Sequence, residues 1–591
     1  MTLRLLAAGS LMAGLALGAP PRARGEEAAP RYRTLDDRFV VRHPASLEEW
    51  RGRAAYLREH ILASAGLFPL PERTPLDPRV FDERKHEDYT VSKAYFESRP
   101  GFFVTGNLYK PIGPGPFPAV LSPHGHWAYG RLENSESASV PGRAINLARQ
   151  GFVVLTYDMI GFNDSRQLSH SFGGKRESLW GLTLAGLQIW NGIRSLDFLE
   201  SLPEVARGRI GCTGASGGGT QTFLVAAVDD RVRVAAPVNM ISLHMQGGCL
   251  CENPPGLRLD TDNVELAATI APRPLLMVSA TGDWTSETMR LEYPEMRRFY
   301  TLLGAEDHVH AVQMQAEHNY NRQSREAVYA WMARWLKGAA PDVRVAETPF
   351  EPERLRDVLV FFDRPLPGHA VTASELTEAW IASAKRQLRE ADPLTLRRAL
   401  LHALSLEPVA RAPAPARTGS RPVVVLATER PDLPRALSKA GFSIRRVSFT
   451  PFDAEAASKV HHFETYNRTP ASQRVADIAL ALTAAPRAIL IADGEAALPA
   501  LLAQAAAPVE RAIVEVGEFD NASDQAFLDR LYIPGLRRAG DLQTAVSMSA
   551  GPIFIHGAGS RFKLEGPRIE PRRLTVREIL ELARGTRATP P

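Results

Sequence analysis

The feature that most constrains the fold is a glycine-rich turn between an apolar strand and a helix. It reads Gly214-Ala215-Ser216-Gly217-Gly218, the G-x-S-x-G spacing of a nucleophile elbow. Glycines beside the serine allow a sharp turn without clashes against the adjoining strand and helix. The turn also brings the Gly217 N–H and the helix N-terminus beside the serine, where an oxyanion would be stabilised. The pattern predicts a nucleophilic Ser216, although a glycine-rich loop with an incidental serine has the same letters.

The length and the order of apolar segments predict several domains. A chain of 591 residues is too long for one core. Short apolar strands alternate with helical segments in the first half, which is typical of a mostly parallel sheet covered by helices on both faces. We predict an α/β catalytic domain over residues 26–340, a linker with a helical segment over 341–421, and a second, smaller α/β domain over 422–591.

The first 25 residues have the organisation of a signal peptide. Arg4 supplies a positive charge, the apolar run 5–19 is too short for a comfortable membrane span, and small residues precede Glu26. We therefore expect a secreted or periplasmic protein without stable membrane insertion; a buried N-terminal helix is the alternative. A formal charge of +4 gives no reason to expect nucleic acid as a partner.

Three cysteines are too few for a disulfide framework. Cys212, in the strand before the turn, reads as a small buried apolar residue. Cys249 and Cys251 are either a local disulfide or free thiols. Because the sequence shows no histidine cluster near them, they are a poor zinc site, and we expect neither a metal nor another cofactor.

Two further residues complete a candidate catalytic set with Ser216. Asp283 follows a buried strand and His318 precedes a helix, in the chain order serine, acid, histidine. A serine hydroxyl is a weak nucleophile until a histidine removes its proton, and the histidine needs a carboxylate to fix its tautomer. Asp283 could instead be a helix N-cap, in which case Glu252 is the alternative acid.

The sequence leaves alternatives for the catalytic histidine and for the second oxyanion donor. His308 and His310 compete with His318, but they lie in a predicted strand. For the oxyanion hole, the loop after the first buried parallel strand offers the His126 N–H as a partner for the Gly217 N–H; a simple Pro-His-Gly turn is the alternative interpretation.

Residues from about 89 to 337 resemble secreted bacterial esterases of the α/β-hydrolase superfamily, near the acetyl xylan esterase and dienelactone-hydrolase branches. The resemblance is carried by short motifs: Ser98-Arg-Pro-Gly-Phe102, Gly106-Asn-Leu-Tyr-Lys-Pro111, His124-Gly-His126, Asp158-x-x-Gly161, Gly214-Ala-Ser-Gly-Gly218, Ala271-Pro-Arg-Pro-Leu-Leu276, Gly282-Asp283 and Glu317-His318. The acetyl xylan esterases carry Arg-Gly-Gln after the second parallel strand and a glutamine after the nucleophile. This chain has Ile160-Gly161-Phe162 and Gly217 there.

The resemblance implies an α/β-hydrolase fold and ester hydrolysis through a serine acyl-enzyme without a metal, with polysaccharide esters as substrates. Two other functions stay open: a serine peptidase of the prolyl-oligopeptidase type, and a non-catalytic carbohydrate-binding protein on a hydrolase scaffold. Nothing in the sequence predicts the oligomeric state.

The pattern of the second half is typical of a reduced repeat of the first. Pro534-Gly-Leu-Arg537 before an apolar strand matches Pro255-Gly-Leu-Arg258 before its own strand. In that alignment Ala496 replaces the nucleophile and Ser560 the acid. We predict a degenerate hydrolase-like domain that is structural or shapes the substrate site; an unrelated Rossmann-like domain is the alternative. Ahead of it, we predict a short strand at 358–362 and a helical segment at 375–406.

Overall fold

The computed structural model describes residues 31–406, 422–485, 487–507 and 509–586. The predicted signal peptide (1–25) and residues 407–421 at the end of the predicted linker lie outside the described residues. Within those residues, no helix combines the length and the apolar character needed to cross a membrane.

The described part of the first half contains a nine-stranded sheet in the order β1-β2-β3-β5-β4-β6-β7-β8-β9. Its strands are β1 Arg79–Lys85, β2 Tyr89–Arg99, β3 Phe102–Pro111, β4 Phe117–Pro123, β5 Val153–Tyr157, β6 Val205–Ala215, β7 Val232–Val238, β8 Leu275–Ala280 and β9 Val309–Met314. β1, β2 and β3 form an antiparallel edge, and β4 through β9 run parallel to one another. The strands from β4 to β8 are almost entirely buried, as expected for a parallel sheet covered on both faces.

Helices cover both faces of this sheet. They are α1 Leu47–Ser64, α2 Val140–Arg149, α3 Lys175–Leu179, α4 Leu184–Ser201, α5 Gly217–Val228, α6 Asn263–Ala268, α7 Glu292–Leu302, α8 Arg322–Lys337, α9 Leu355–Val358, α10 Ala373–Glu390 and α11 Pro393–Ala403. Trp190 and Phe223 are buried in the core on one face, and Ile145 and Met332 in the core on the other. The predicted α/β fold class is confirmed for this half.

The second half forms a smaller, six-stranded parallel sheet among the described residues, in the order β11-β10-β12-β13-β14-β15. Its strands are β10 Val423–Ala427, β11 Ser443–Arg446, β12 Ala488–Ala492, β13 Arg511–Glu515, β14 Ile553–His556 and β15 Arg568–Glu570. Its helices are α12 Asp432–Lys439, α13 Ala454–Ser458, α14 Phe463–Tyr466, α15 Pro470–Thr483, α16 Ala497–Ala503, α17 Asp524–Arg530, α18 Asp541–Ser547 and α19 Val576–Arg584. This sheet is the predicted second α/β domain.

The two sheets share one strand order. Numbered along the chain, the parallel strands β4 to β9 lie in the order 2-1-3-4-5-6, and so do β10 to β15. Flavodoxin-like sheets use the same order, so the degenerate-copy interpretation stays a prediction. The predicted nucleophile position at Ala496 stays a prediction too; two residues earlier, Gly494 (φ 60°) has a positive φ like that of Ser216 (φ 57°) in the first sheet.

One predicted element between the sheets was also wrong. Residues 358–362 do not form a strand; the helix α9 ends at Val358 and a turn follows. The N–H groups of Val360 and Phe361 donate to the Asp164 carboxylate instead of to a strand. The apolar run alone does not show whether the backbone N–H groups bond to a neighbouring strand or to a side-chain carboxylate. The predicted helical segment at 375–406 is present as α10 and α11.

The second domain packs closely on the first. The Arg538 guanidinium is buried and donates to the carbonyl oxygens of Gly66 and Pro69. Leu179 and Leu400 from the first half belong to the apolar core of the second. The domains therefore share apolar surface as well as polar contacts.

We expect a chain cut after Leu406 to lose solubility, because removal of the second domain exposes Leu179 and Leu400 to water. The measurement is the soluble fraction and the elution profile on size exclusion, with the full chain prepared in parallel. A monodisperse truncated protein that melts cooperatively would show that the shared surface is not needed for stability.

Candidate active site

The predicted elbow lies at the carboxyl end of β6, in the middle of the first sheet. Ser216 stands between β6 and α5 with φ 57° and ψ −126°, a strained conformation for a residue with a Cβ. Its N–H donates to the Val238 carbonyl oxygen at 3.1 Å, which ties the turn to the end of β7. The serine is thereby held at the edge of the sheet where loops from several strands meet.

The glycines around the serine are required by close packing. A Cβ on Gly214 would lie 2.4 Å from the Pro123 carbonyl oxygen, and one on Gly218 would lie 2.7 Å from the carbonyl oxygens of Pro123 and His124. A Cβ on Gly217 would lie 2.5 Å from Cε1 of His126. Side chains at these positions would push the turn away from the loop after β4.

The structure brings Asp283 and His318 into direct contact. Nδ1 of His318 lies 2.8 Å from Oδ2 of Asp283, whose side chain is 2 % exposed. The other carboxylate oxygen accepts from the N–H of Thr285 at 2.7 Å and from its hydroxyl at 2.5 Å. A carboxylate held this way fixes the tautomer in which Nε2 of the imidazole is free to accept a proton.

Two indole rings flank the His318 imidazole. The Trp284 ring centroid lies 4.4 Å from that of His318, and the Trp127 ring stacks on it at 5.7 Å. Trp127 belongs to the same loop as Gly125, where an added Cβ would be 3.1 Å from the Trp127 indole nitrogen and 3.2 Å from Cβ of Ser216. The loop after β4 thus lies against both the serine and the histidine.

The alternative acid and histidines lie in other contacts. The Glu252 carboxylate accepts from the Thr220 hydroxyl and from the N–H groups of Gly248 and Cys249. Nδ1 of His308 contacts the Pro272 carbonyl oxygen, and His310 is exposed on β9. His318 is therefore the one of these three histidines that contacts Asp283.

Gly217 and His126, the residues predicted to supply the oxyanion donors, are in contact. Neither the Gly217 N–H nor the His126 N–H has a hydrogen-bond acceptor among the described residues. The His126 ring lies against Gly217, so the loop after β4 and the start of α5 are in contact. Two unpaired N–H groups beside a nucleophile are the arrangement that stabilises a developing negative charge.

Buried polar side chains, His124 and Arg131, hold the loop after β4 in place. The His124 imidazole accepts from the Met159 N–H at 2.9 Å, and its Nδ1 lies 2.7 Å from the Gly125 carbonyl oxygen. Burial lowers the pKa of His124 to about 3, so the ring is neutral and serves as a tie between loops. The fully buried Arg131 guanidinium pairs with Asp158 at 2.6 Å and Asp164 at 2.7 Å.

A second cluster lies beside the elbow and was not expected. His126 and His170 approach Cys249 and Cys251, and the four ligand atoms all lie within 4.8 Å of one another. The prediction that no histidines lie near Cys249 and Cys251 was wrong, because His126 and His170 come from loops that are distant in the sequence. A side-chain hydrogen bond with Cys251, followed by contacts from His126 and His170, lowers the pKa of Cys249 to about 2.

Comparisons with known proteins agree with this architecture. Residues 101–336 match the family model described as X-Pro dipeptidyl-peptidase (S15 family), which covers less than half of the chain. A Bacillus subtilis (strain 168) protein named as a hydrolase, YtaP, is 26% identical over 288 residues, 45% of this chain and 95% of the relative.

Solved structures extend the comparison. The methylesterase BT1017 is 30% identical with a TM-score of 0.49, over 59% of this chain and 78% of that chain. The chain belongs to the α/β-hydrolase superfamily. A glucuronoyl esterase of carbohydrate esterase family 15 from Caldicellulosiruptor kristjansonii is 17% identical with a TM-score of 0.36, over 56% and 98% of the two chains. As an α/β-hydrolase, the protein carries the elbow and the His–Asp contact at the positions that the superfamily order predicts.

We expect the substitution Gly217→Ala to reduce activity on a small chromogenic ester by at least ~10²-fold. The added methyl group would meet the His126 ring and displace the loop that carries the His126 N–H. The matched control is Gly52→Ala in α1, where an added Cβ has no atom within 4 Å. Melting temperatures separate a local effect from unfolding, and a fully active, equally stable Gly217→Ala variant would contradict the tight packing.

Proposed function

We propose that the protein is a serine carboxylesterase that hydrolyses ester groups on polysaccharides, outside the cytoplasm, through an acyl-enzyme. The observation that carries the proposal is the 2.8 Å contact between His318 and Asp283 at the same edge of the sheet as the strained Ser216. In this proposal Ser216 is the nucleophile, His318 the general base and Asp283 the residue that orients it.

The reaction follows from these groups. His318 Nε2 takes the proton of the Ser216 hydroxyl while Oγ attacks the ester carbonyl carbon, and the N–H groups of Gly217 and His126 stabilise the oxyanion. The protonated imidazole then gives its proton to the departing alcohol, which leaves the acyl group on Ser216. Water, deprotonated by His318, releases the acid and restores the serine.

A cleft between the two domains begins at Leu250 in the cysteine loop, beside the candidate catalytic residues rather than over them, and offers room for a substrate larger than a simple ester. It has a volume of about 390 Å³ and is lined by Phe172, Lys175, Phe463, Glu464 and Tyr532, among others. Aromatic faces with a few polar groups suit a polar chain such as a sugar polymer. Because Phe463, Glu464 and Tyr532 come from the second domain, that domain would shape the substrate site without chemistry of its own.

A serine peptidase is the second candidate, because the matching family model is that of an X-Pro dipeptidyl-peptidase. The two functions are separated by comparing a 4-nitrophenyl acetate with an X-Pro 4-nitroanilide. A panel of acetylated xylan, a glucuronoyl ester, a feruloyl ester and a methyl-esterified polysaccharide then identifies the ester. A kcat/KM on the X-Pro amide above that on every ester would replace the esterase proposal.

The substitution Ser216→Ala should lower kcat on 4-nitrophenyl acetate by a factor of roughly 10⁶, to the limit of detection, because no other group can form the acyl-enzyme. The matched control is Ser201→Ala, an exposed serine at the end of α4. Both variants should have the circular dichroism spectrum of the parent. Retention of most of the kcat by Ser216→Ala would remove the proposed mechanism.

The substitution Asp283→Asn should lower kcat by about 10⁴-fold, since an amide favours the wrong imidazole tautomer. Glu317→Gln, an exposed carboxylate next to His318 in the sequence, is the matched control and should have nearly parental kcat. The pH dependence of kcat, measured for both variants, tests the role of the charge. An Asp283→Asn variant as active as the control would assign the acid elsewhere.

A further inference from the structure

We propose that His126, His170, Cys249 and Cys251 bind one zinc ion, which joins three loops around the candidate active site. These four side chains are not used in the esterase mechanism, in which only the backbone N–H of His126 takes part. The proposal therefore stands independently of the substrate and of the reaction.

The ligand atoms lie close enough together to surround one tetrahedral ion. Nε2 of His126 lies 3.2 Å from Nε2 of His170 and 3.2 Å from Sγ of Cys251, and Nε2 of His170 lies 3.2 Å from Sγ of Cys249. Zinc bonds of about 2.3 Å to sulfur and 2.0–2.1 Å to nitrogen, at tetrahedral angles, separate neighbouring ligand atoms by roughly 3.3–3.8 Å. The other pairs lie within 4.8 Å, so shifts of up to about 1 Å would bring all four atoms onto one ion.

The donor set selects the metal. Two thiolates and two neutral imidazoles suit zinc, whereas magnesium and calcium prefer oxygen ligands. Two thiolates also balance the charge of Zn²⁺, so a partly buried site of this kind carries no net charge. The nearby Glu252 carboxylate is occupied by the N–H groups of Gly248 and Cys249 and by the Thr220 hydroxyl, so it supports the loop and not the ion.

Groups around the cluster already orient its ligands. Nδ1 of His170 lies 2.6 Å from the Ile160 carbonyl oxygen, which fixes the tautomer that leaves the Nε2 lone pair directed at the cluster. The Asn253 amide donates to the carbonyl oxygens of Gly247 and Cys249 at 2.8 Å. Such contacts behind the ligands are typical of a site that is formed before the metal enters.

The location of the cluster predicts what the ion does. His126 follows β4, His170 follows β5, and both cysteines follow β7, so the ligands come from three loops at the carboxyl edge of one sheet. Four protein ligands leave no open position for substrate, which is the property of a structural zinc site. The ion would hold the His126 loop, and with it the His126 N–H, against the start of α5.

The test is the metal content of the full chain purified from zinc-supplemented medium under reducing conditions. We expect one zinc per chain in the parent protein. The zinc content should be at least tenfold lower in Cys249→Ser and in His170→Gln. The matched controls are His244→Gln, an exposed histidine of the same loop, and Cys212→Ala, the third cysteine; both should retain one zinc per chain. Less than a tenth of an equivalent of zinc in the parent, or equal zinc in all variants, would overturn the proposal.

A measurement on the parent protein guards against variants that fail to fold. Cobalt substitution should give the intense visible spectrum of a tetrahedral cobalt–thiolate site, and X-ray absorption of the zinc form should show two bonds near ~2.3 Å and two near ~2.05 Å. Chelation should make two additional thiols reactive. An intact mass that is two hydrogens short, with no bound metal, would show a Cys249–Cys251 disulfide and overturn the zinc site.

Discussion

The strained backbone at Ser216 is the constraint on which the rest of the first domain depends. A residue with a Cβ adopts φ 57° only where its surroundings leave no alternative. Here the surroundings are the β7 carbonyl oxygen that accepts from the serine N–H and the loop after β4, which packs on three glycines of the turn. The glycines, the buried strands and the loop therefore pack together in a single arrangement, which fixes the conformation of Ser216.

The loop after β4 is held from two sides. Below it, the buried Arg131 pairs with two carboxylates at 2.6 and 2.7 Å. Removal of one partner from such a buried pair typically costs about 3–5 kcal/mol, because a charge is left unpaired. Above it, the His126 ring reaches the cysteine cluster. Both faces of the loop are thus determined by groups from the loops after β5 and β7.

The sequence predicted the parts of the site that follow from local chemistry. The sharp turn at Ser216 was predictable because a strand, a turn and a helix meet within a few residues. The Asp283–His318 contact was predictable because each residue follows a strand in the superfamily order. His170 could not, since it is 44 residues from His126 in a polar loop without periodicity. Its role depends on a loop path that only the folded chain defines. The strand predicted at 358–362 failed for a related reason: its N–H groups bond to Asp164, a partner far away in the sequence.

The contact between the second domain and the cysteine loop has a consequence for engineering. The Thr465 hydroxyl and the Tyr466 hydroxyl both donate to Asn253, two residues after Cys251. The N–H groups of Gly256 and Arg258 donate to carbonyl oxygens of Glu464 and Thr465. A chimera that takes its C-terminal half from a relative must therefore also supply a segment equivalent to 463–466. Shuffling the halves at the linker without that segment would alter the cysteine loop although Ser216, Asp283 and His318 remained in place.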